Sequence, residues 1–277
     1  MWSSTCDHEG MPRTLVCFHA HPDDEAIQTG GTIARAAAEG HRVVRVFAPR
    51  GELGEVADGF LDPGETLAER RSRECGAAAD ILGAARVEFL GYTDSGMAGE
   101  ATNDDPAAFW RADLDEAAER LAAILREEDA EVLTVYDDHG GYHHPDHIQV
   151  HRVGVRAAEL AGTARVYEAT ADRDHFMETL RTSETMATDL GVEIPGDLPD
   201  PSEFADNFTP SALINTRVDV VDRLAVKRAA LRAHASQIDE TSFFLSMPDE
   251  IFGLAFGTEW FIRRDAPEGT QETWLFD

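Results

Sequence analysis

The chain has 277 residues, of which 43% are hydrophobic, and a formal net charge of −29. This composition predicts a soluble globular protein with enough apolar material for a sizeable core. So acidic a chain argues against binding to nucleic acid or to anionic membranes, because both partners require basic patches. We interpret the charge as a solvated, self-repelling surface, and adaptation to high salt is the alternative interpretation.

The N-terminus and the cysteines bear on location and on domain organisation. No apolar run approaches the roughly 18 residues that a membrane span requires, and the first residues lack the basic and apolar regions of a signal peptide. Cys6, Cys17 and Cys75 are odd in number and widely spaced, which argues against a disulfide framework. We expect a cytoplasmic protein with a loose extension over residues 1–12 and a single domain over residues 13–277.

Hydrophobic periodicity predicts alternating strands and helices through the first part of the chain. The predicted strands span 14–18, 41–48, 86–90, 132–136 and 165–169, and the predicted helices span 30–40, 64–82, 107–128 and 145–160. This alternation predicts an α/β fold, in which a mostly parallel sheet is covered by helices on both faces. In such sheets ligands bind beyond the carboxyl ends of the strands.

The last third of the chain is predicted to be less regular. A helix over 174–190 is followed by a Pro- and Asp-rich loop or flap over 191–210, a strand over 215–220 and a helix over 222–237. Residues 243–261 are rich in aromatic side chains, and we expect them to pack over the site or at an interface. This C-terminal extension, residues 191–277, is expected to determine the choice of substrate.

Two clusters of chemically active residues follow predicted strands. The sequence His-Pro-Asp-Asp-Glu at residues 21–25 comes just after the first strand, and His-His-Pro-Asp-His at residues 143–147 comes after the fourth. Taken alone, the first is typical of a solvated helix start and the second of an exposed turn. Their common position at strand ends favours one joint site.

Imidazole nitrogens and carboxylate oxygens are ligands of zinc and similar divalent ions, and catalytic sites keep one position open for water. A site built from His21, Asp24 and His147 would place two neutral imidazoles and one carboxylate around the ion. Such an ion acidifies water, and the adjacent Asp23 would be free to act as general base. Glu25 is expected to support a ligand or the start of the following helix.

The second cluster offers groups that could stabilise a transition state. His144 and His147 are three residues apart, which places them on the same side of a first helical turn. Asp146 is expected to orient and charge His144. Tyr142 follows two glycines that could bring its hydroxyl to a developing oxyanion.

The remaining histidines and two of the cysteines are given structural interpretations. Cys17 and Cys75 are expected to be core thiols, His19 to lie on or beside the first strand, and His151 on the helix after the second cluster. The other histidines are interpreted as surface or structural residues: His8, His41, His139, His175 and His234.

The sequence His-Ala-His-Pro-Asp-Asp-Glu at 19–25, with His-Pro-Asp-His at 144–147, resembles the LmbE-like (PIG-L) de-N-acetylase family over most of residues 14–170. The resemblance implies a Rossmann-like fold and a zinc-dependent amidohydrolase of N-acylglucosamine units, with Fe²⁺ as the alternative metal. It also implies a role for each motif residue: His21, Asp24 and His147 as metal ligands, Asp23 as general base, Tyr142 and His144 as stabilisers of the tetrahedral intermediate, and Asp146 as the residue that orients His144.

Further segments resemble the mycothiol-metabolism branch of that family: residues 51–56, residues 94–99, and Arg71 with Glu74. By that resemblance Arg71 contacts an inositol moiety, and Glu55 and Asp94 bind sugar hydroxyls. An ion pair or helix cap between Arg71 and Glu74 is the alternative interpretation of that arginine. Conjugate amidases of the branch tend to carry lysine where this chain has Gln28, which disfavours bulky thiol conjugates.

The predicted function is removal of an acetyl group from an N-acetylglucosaminyl substrate, inositol-linked or not, by metal-activated water. The alternatives are an amidase of mycothiol-type thiol conjugates, a metal-dependent phosphoesterase and a non-catalytic sugar-binding protein. A phosphoesterase would usually require a second metal or a denser basic lining. A non-catalytic member would be expected to have lost Asp23 or a ligand. The predicted partner is a small amino-sugar, and homo-oligomerisation is left open.

Overall fold

The computed structural model describes residues 11–190 and 207–277, and for residues 183–190 it describes the backbone only. Its strands are Thr14–His19 (β1), Arg42–Phe47 (β2), Arg86–Phe89 (β3), Val132–Tyr136 (β4), Arg165–Thr170 (β5), Thr216–Asp219 (β6) and Thr258–Arg263 (β7). Its helices are Asp24–Gln28 (α1), Gly30–Ala38 (α2), Leu67–Leu82 (α3), Leu114–Glu127 (α4), Gly140–His143 (α5), Pro145–Ala161 (α6), Arg173–Leu190 (α7), Leu224–Ala233 (α8), Phe243–Ser246 (α9) and Asp249–Phe256 (α10).

The described strands form one seven-stranded sheet in the order β3-β2-β1-β4-β5-β7-β6. The first five strands of this order are parallel, and β7 and β6 are added in antiparallel pairings. The chain moves outward from β1 to β3 in one direction and from β4 to β5 in the other. A crevice therefore opens between β1 and β4, at the point where the strand order reverses.

Alternation along β1 divides the core between the two faces of the sheet. Leu15 and Cys17 pack on one face with Ile33 of α2, while Val16 and Phe18 pack on the other with Leu121 of α4. This is the period of two that a strand imposes on its side chains. The predicted α/β fold, mostly parallel with helices on both faces, is confirmed, and Cys17 and Cys75 are buried thiols.

The predicted helix over 107–128 starts later than expected. Residues Phe109–Arg111 form a separate 3₁₀ turn, and α4 begins only at Leu114. Asp113 causes the new start, because its side chain accepts a hydrogen bond from the backbone N–H of Glu116 at 3.0 Å. Aspartate at this position satisfies one of the free donors of a helix N-terminus.

The described part of the C-terminal third, residues 207–277, is more regular than expected. The predicted strand over 215–220 is β6, and a further strand, β7, begins inside the aromatic stretch 243–261 and ends at Arg263. Most of the predicted loop over 191–210 lies outside the described residues. The division into residues 1–12 and 13–277 stays a prediction, as does the cytoplasmic location. Within 11–190 and 207–277, no helix is both long and apolar enough to cross a membrane.

Candidate active site

The two histidine clusters meet beyond the carboxyl ends of β1 and β4, which pair side by side in the sheet. His21 follows β1, and His147 lies in the first turn of α6, the helix that follows β4. Their ring centroids are 5.6 Å apart. Because both strands are parallel, their carboxyl ends share one edge, and the structure brings the two clusters together there.

Asp24 connects the two imidazoles. Its Oδ2 atom lies 3.5 Å from Nδ1 of His21 and 3.4 Å from Nε2 of His147. His147 is fully buried, and among the described residues neither ring nitrogen makes a well-aligned hydrogen bond, although Nε2 faces Asp24. A buried imidazole without such bonds is costly, and a cation ligated by the ring would remove that cost. The donor set therefore fits a divalent metal ion.

The described residues contain two overlapping groups that could hold such an ion. In each group, one ligand atom per residue lies within 4.8 Å of the others: His21, His144 and His147 in one, and His21, Asp94 and Asp146 in the other. His21 belongs to both groups. The choice of Asp24 as the carboxylate ligand stays a prediction.

The carboxylates around His21 favour positive charge. Burial alone would lower the pKa of His21, but Asp146, Asp24 and Asp94 outweigh it and raise that pKa well above its ordinary value. Nε2 of His21 lies 3.3 Å from Asp146 Oδ2 and 3.5 Å from Asp94 Oδ1. Carboxylates that stabilise a proton here would also stabilise a metal ion, whose binding displaces that proton.

Asp23 lies beside the proposed ligands with its carboxylate facing Arg71. The distance from Asp23 Oδ1 to the nearer guanidinium nitrogen is 3.2 Å. Burial raises the pKa of Asp23 to about 6, with the charge of Arg71 acting in the opposite direction. A carboxylate whose pKa lies close to neutrality suits general base catalysis.

His144 presents a neutral N–H donor to the site. It is the N-cap of α6, where its Nδ1 atom accepts a hydrogen bond from the backbone N–H of Asp146 at 3.1 Å. That bond assigns the proton of the neutral ring to Nε2. Burial, together with the charges of His21 and His147, lowers the pKa of His144 to about 4. The ring is therefore uncharged at neutral pH.

Asp146 contacts the His144 ring through its backbone N–H, and its carboxylate has other partners. Oδ2 accepts from the backbone N–H of Ser95 at 3.0 Å and lies beside His21, while Oδ1 accepts from the Ser95 hydroxyl. The orienting contact therefore differs from the expected one, whereas the carboxylate charge does act to raise the pKa of His144, as expected. The physical reason for the different contact is the position of Asp146 in the first turn of α6, where a backbone N–H is free to reach the capping ring.

Tyr142 reaches the site from the turn between β4 and α6. Its ring centroid is 5.0 Å from that of His147, and 47% of the residue is exposed. Gly140, at φ 67°, lets this turn approach α6, because a Cβ there would lie 2.7 Å from the backbone nitrogen of Ile148. The glycine position therefore sets how close the tyrosine comes to the histidines.

A cavity of about 1030 Å³ joins two of the predicted ligands, His21 and Asp24, to the predicted substrate-binding residues. Glu55, Arg71 and Asp94 all line it, together with Gln28. Asp94 is buried, and its carboxylate accepts from the backbone N–H of Gly96 at 2.9 Å. The structure thus brings every predicted site residue to one region, although their roles stay predictions.

The alternative pairing of Arg71 with Glu74 is wrong. Glu74 accepts from the backbone N–H and hydroxyl of Ser236, at 2.9 and 2.6 Å. Arg71 instead donates to the carbonyl oxygens of Pro22, at 2.5 Å, and Gly51, at 2.8 Å. The arginine therefore braces the turn that carries Asp23.

The aromatic stretch 243–261 lies over the site, which is one of the two positions expected for it. Phe243, Phe244, Phe256 and Trp260 line the cavity. Nearby polar side chains already have hydrogen-bond partners in the protein. Thr170 donates to Asp137 at 2.7 Å, and His175 Nε2 lies 3.0 Å from the carbonyl oxygen of Leu254. This wall consequently offers mainly apolar surface to a ligand.

Two residues that support the site, Arg45 and His234, were not predicted from the sequence to do so. Both contact Oε1 of Glu25, Arg45 at 2.5 Å and His234 at 2.8 Å, and all three side chains are fully buried. Burial alone would raise the pKa of Glu25, but His234 and Arg45 outweigh it and lower that pKa. The position of Arg45 within the β-branched run of β2 could have indicated a buried ion pair, because a buried charge requires a partner. Nothing in the sequence singled out His234.

The chain is similar to known deacetylases along most of its length. A family model described as GlcNAc-PI de-N-acetylase matches residues 16–158. The 1D-myo-inositol 2-acetamido-2-deoxy-alpha-D-glucopyranoside deacetylase of Acidothermus cellulolyticus is 41% identical over 266 residues, covering 91% of this chain and 89% of that protein. The protein of the same name from Salinispora arenicola is 42% identical, covering 90% and 84%. The similarity therefore continues beyond the family match into the C-terminal third.

Solved structures share the fold at lower identity. The N,N'-diacetylchitobiose deacetylase of Pyrococcus horikoshii aligns with a TM-score of 0.56 and 22% identity, covering 91% of this chain and 83% of that one. The 4-carboxy-2-hydroxymuconate hydratase of Pseudomonas putida aligns with a TM-score of 0.59 and 20% identity, covering 94% and 98%. Since one is a deacetylase and the other a hydratase by name, the fold alone does not specify the reaction.

Proposed function

The chain belongs to the GlcNAc-PI de-N-acetylase family, and we propose that it removes the acetyl group from an inositol-linked 2-acetamido-2-deoxy-glucopyranoside. The observation that carries this proposal is the contact of Asp24 with both His21 and His147, next to a cavity that Asp23, Asp24 and His21 line. A base adjacent to a cation site is what metal-assisted amide hydrolysis requires. The reaction consumes water and yields acetate and a free amine.

Zinc is the proposed metal, with Fe²⁺ as the alternative, and His21, Asp24 and His147 would hold it. The ion would polarise the acetamide carbonyl and acidify water. The ring nitrogens of His147, which make no well-aligned hydrogen bond among the described residues, and the carboxylates around His21 support this assignment.

Asp23, His144 and Tyr142 carry out the proton transfer and charge stabilisation. Asp23 accepts a proton from the attacking water and returns it to the nitrogen of the leaving amine, so that the proton balance closes. The Nε2–H of His144 and the hydroxyl of Tyr142 donate hydrogen bonds to the oxyanion. The lowered pKa of His144 supports this role, because a neutral ring retains that N–H without carrying a charge.

Three residues of the cavity are proposed to bind the sugar. Asp94 lies at the buried end, next to His21, and Glu55 lies at the exposed rim. Both carboxylates can accept hydrogen bonds from sugar hydroxyls. Arg71 lines the same cavity and would contact the inositol ring. This arrangement orders the substrate from the acetamide, at the histidines, to the inositol, at the rim.

Acetate release tests the proposal directly. We would assay an inositol-linked N-acetylglucosaminide, free N-acetylglucosamine and a phosphate monoester, using protein stripped by chelator and reloaded with Zn²⁺ or with Fe²⁺ under anaerobic conditions. The expected result is metal-dependent acetate release, with the highest kcat/KM for the inositol-linked sugar. Phosphate release without acetate release would favour the phosphoesterase, and neither product would favour a sugar-binding protein.

The second candidate function is cleavage of bulkier amides, such as thiol conjugates. The cavity volume lies just above the ~300–1,000 Å³ range of ligand sites, and its aromatic wall offers apolar surface to a larger substrate. The same assay with an S-aryl or S-alkyl conjugate as substrate decides between the two. A kcat/KM for the conjugate above that for the acetyl sugar would reverse the order of the two proposals.

A further inference from the structure

Asp23 has a backbone conformation that residues other than glycine rarely adopt. Its φ is 117° and its ψ is −34°. Backbone atoms crowd the Cβ atom in this region, so the conformation persists only where the surrounding contacts hold it. The contacts that hold Asp23 in place therefore also determine where its carboxylate points.

Side chains bind both polar atoms of the peptide group that precedes Asp23. The N–H of Asp23 donates to Oε2 of Glu25 at 2.9 Å, and the carbonyl oxygen of Pro22 accepts from Arg71. The carbonyl of Asp23 itself accepts from the N–H of Ala26 at 2.9 Å, which is an ordinary bond of a helix start. Glu25 thus supplies a side-chain acceptor for the strained residue's own N–H.

Glu25 is in turn fixed by Arg45 and His234. Both donate to its Oε1 atom, at 2.5 and 2.8 Å, and this leaves Oε2 for Asp23. All three side chains are fully buried. A buried carboxylate needs such partners, because removing it from water is otherwise very unfavourable. The two donors therefore fix both the charge and the orientation of Glu25.

This network joins distant parts of the fold without reaching the substrate. Arg45 lies on β2 next to Cys17 of β1, and its other guanidinium nitrogen donates to the carbonyl of Cys75 in α3. His234 directly follows α8. Among the described residues that line the cavity, none belongs to the network of Glu25, Arg45 and His234. The hydrogen bond from the Asp23 N–H to Glu25 is a direct link from this network to the cavity.

We propose that Glu25, Arg45 and His234 are positioning residues, which hold Asp23 in its strained conformation and so aim its carboxylate at the attacking water. The proposal rests on the proposed function, because it requires Asp23 to be the base. It predicts that the network affects turnover rather than substrate affinity. A purely structural network would instead affect stability and leave the turnover of the folded enzyme unchanged.

The first test replaces Glu25 by glutamine. In Glu25→Gln, one carboxylate oxygen becomes an NH₂ group, which cannot accept a hydrogen bond. The side chain can then accept either from the N–H of Asp23 or from Arg45 and His234, but not from both sides. We expect kcat to fall by about 10- to 100-fold, because small misplacements of a catalytic group have effects of that size. KM and metal content should change less than about threefold. Glu272→Gln, which removes the charge of an ion pair with Arg263 away from the cavity, is the matched control and should retain wild-type kcat.

The second test uses two substitutions of His234 and remains informative if Glu25→Gln fails to fold. In His234→Gln the side-chain amide can place an N–H near the position of Nε2 and donate to Glu25. In His234→Phe that donor is lost while the ring volume is kept. We expect His234→Gln to retain most of kcat and His234→Phe to lose it, at unchanged metal content. Equal kcat values in the two variants would overturn the positioning role.

A measurement on the metal-free protein separates this inference from the proposed function. The amide hydrogen of Asp23 should exchange slowly in the wild-type protein, and at least about 10-fold faster in Glu25→Gln and His234→Phe. If the wild-type protein releases no acetate, the proposed function fails, while the exchange rates still report on the network. Slow exchange in both variants, with kcat within twofold of wild type, would show that the network does not position Asp23.

Discussion

The ring of His147 stacks on the ring of Tyr136 with centroids 4.2 Å apart and an interplanar angle of 13°. Tyr136 is the last residue of β4, and its hydroxyl accepts from the backbone N–H of Ala20, just after β1. The orientation of the His147 ring is therefore fixed by β1 and β4, the two strands that flank the crevice. An imidazole held in this way is oriented before any ion binds, which favours affinity.

Removal of His147 should abolish tight metal binding. In His147→Ala, one of three proposed ligands is lost, and we expect metal affinity to fall by more than about 100-fold, since loss of an outer hydrogen-bond partner alone costs about 10- to 100-fold. Chelator competition and metal analysis after gel filtration measure this. His151→Asn, one turn further along α6, is the control and should bind metal normally. Full metal content in His147→Ala would refute the ligand assignment.

Replacement of Asp23 by asparagine should separate metal binding from turnover. Asp23→Asn keeps the shape of the side chain but cannot accept the proton of water, so kcat should fall by about 10²- to 10⁴-fold. Metal content should stay the same, because Asp23 is not a proposed ligand. Asp138→Asn changes an exposed carboxylate near the end of β4 and serves as the control. Near-normal activity of Asp23→Asn would remove Asp23 from the mechanism.

The hydroxyl of Tyr142 should matter for the rate and not for stability. Tyr142→Phe removes one proposed donor to the oxyanion, and we expect kcat to fall by about 10²-fold with little change in KM. Tm should be unchanged, because 47% of this residue is exposed and the variant keeps the ring. Steady-state kinetics and thermal melts check the two parts separately. A drop in Tm that matches the drop in kcat would point to a structural role instead.

The stability of the sheet edge should depend on the ionisation of Glu128. Hydrogen bonds from Arg42, and then from Arg86, lower the pKa of Glu128 from 4.5 to about 2. A lowered pKa in the folded state gives stability that is complete above about pH 4.5 and is lost as the pH falls to about 2.

We therefore expect Glu128→Gln to lose about 1 kcal/mol of unfolding free energy at pH 7, a modest value because Arg42 is partly exposed to solvent. The difference from wild type should shrink towards pH 2. Urea titrations at pH 7, 4 and 2.5 measure it. A difference that stays constant over this range would mean that the effect comes from packing and not from charge.

The sequence predicted those features of the fold that depend on the residues of one short segment. Alternating strands and helices, and the positions of two clusters after β1 and β4, follow from local periodicity. Parallel strand ends share an edge, so the convergence of His21 and His147 could be expected. Contacts between distant segments were not predictable, because they depend on tertiary packing. Arg71 with Pro22, Glu74 with Ser236, and His234 with Glu25 are of this kind.

The position of β7 in the sheet has a consequence for how the chain folds during synthesis. β7, at residues 258–263, lies between β5 and β6 although it is made after both. Until it emerges, β5 presents an open edge, and an open edge is a template for pairing with other chains. Nascent chains that stop before residue 258 should therefore aggregate, whereas chains that pass it can close the sheet.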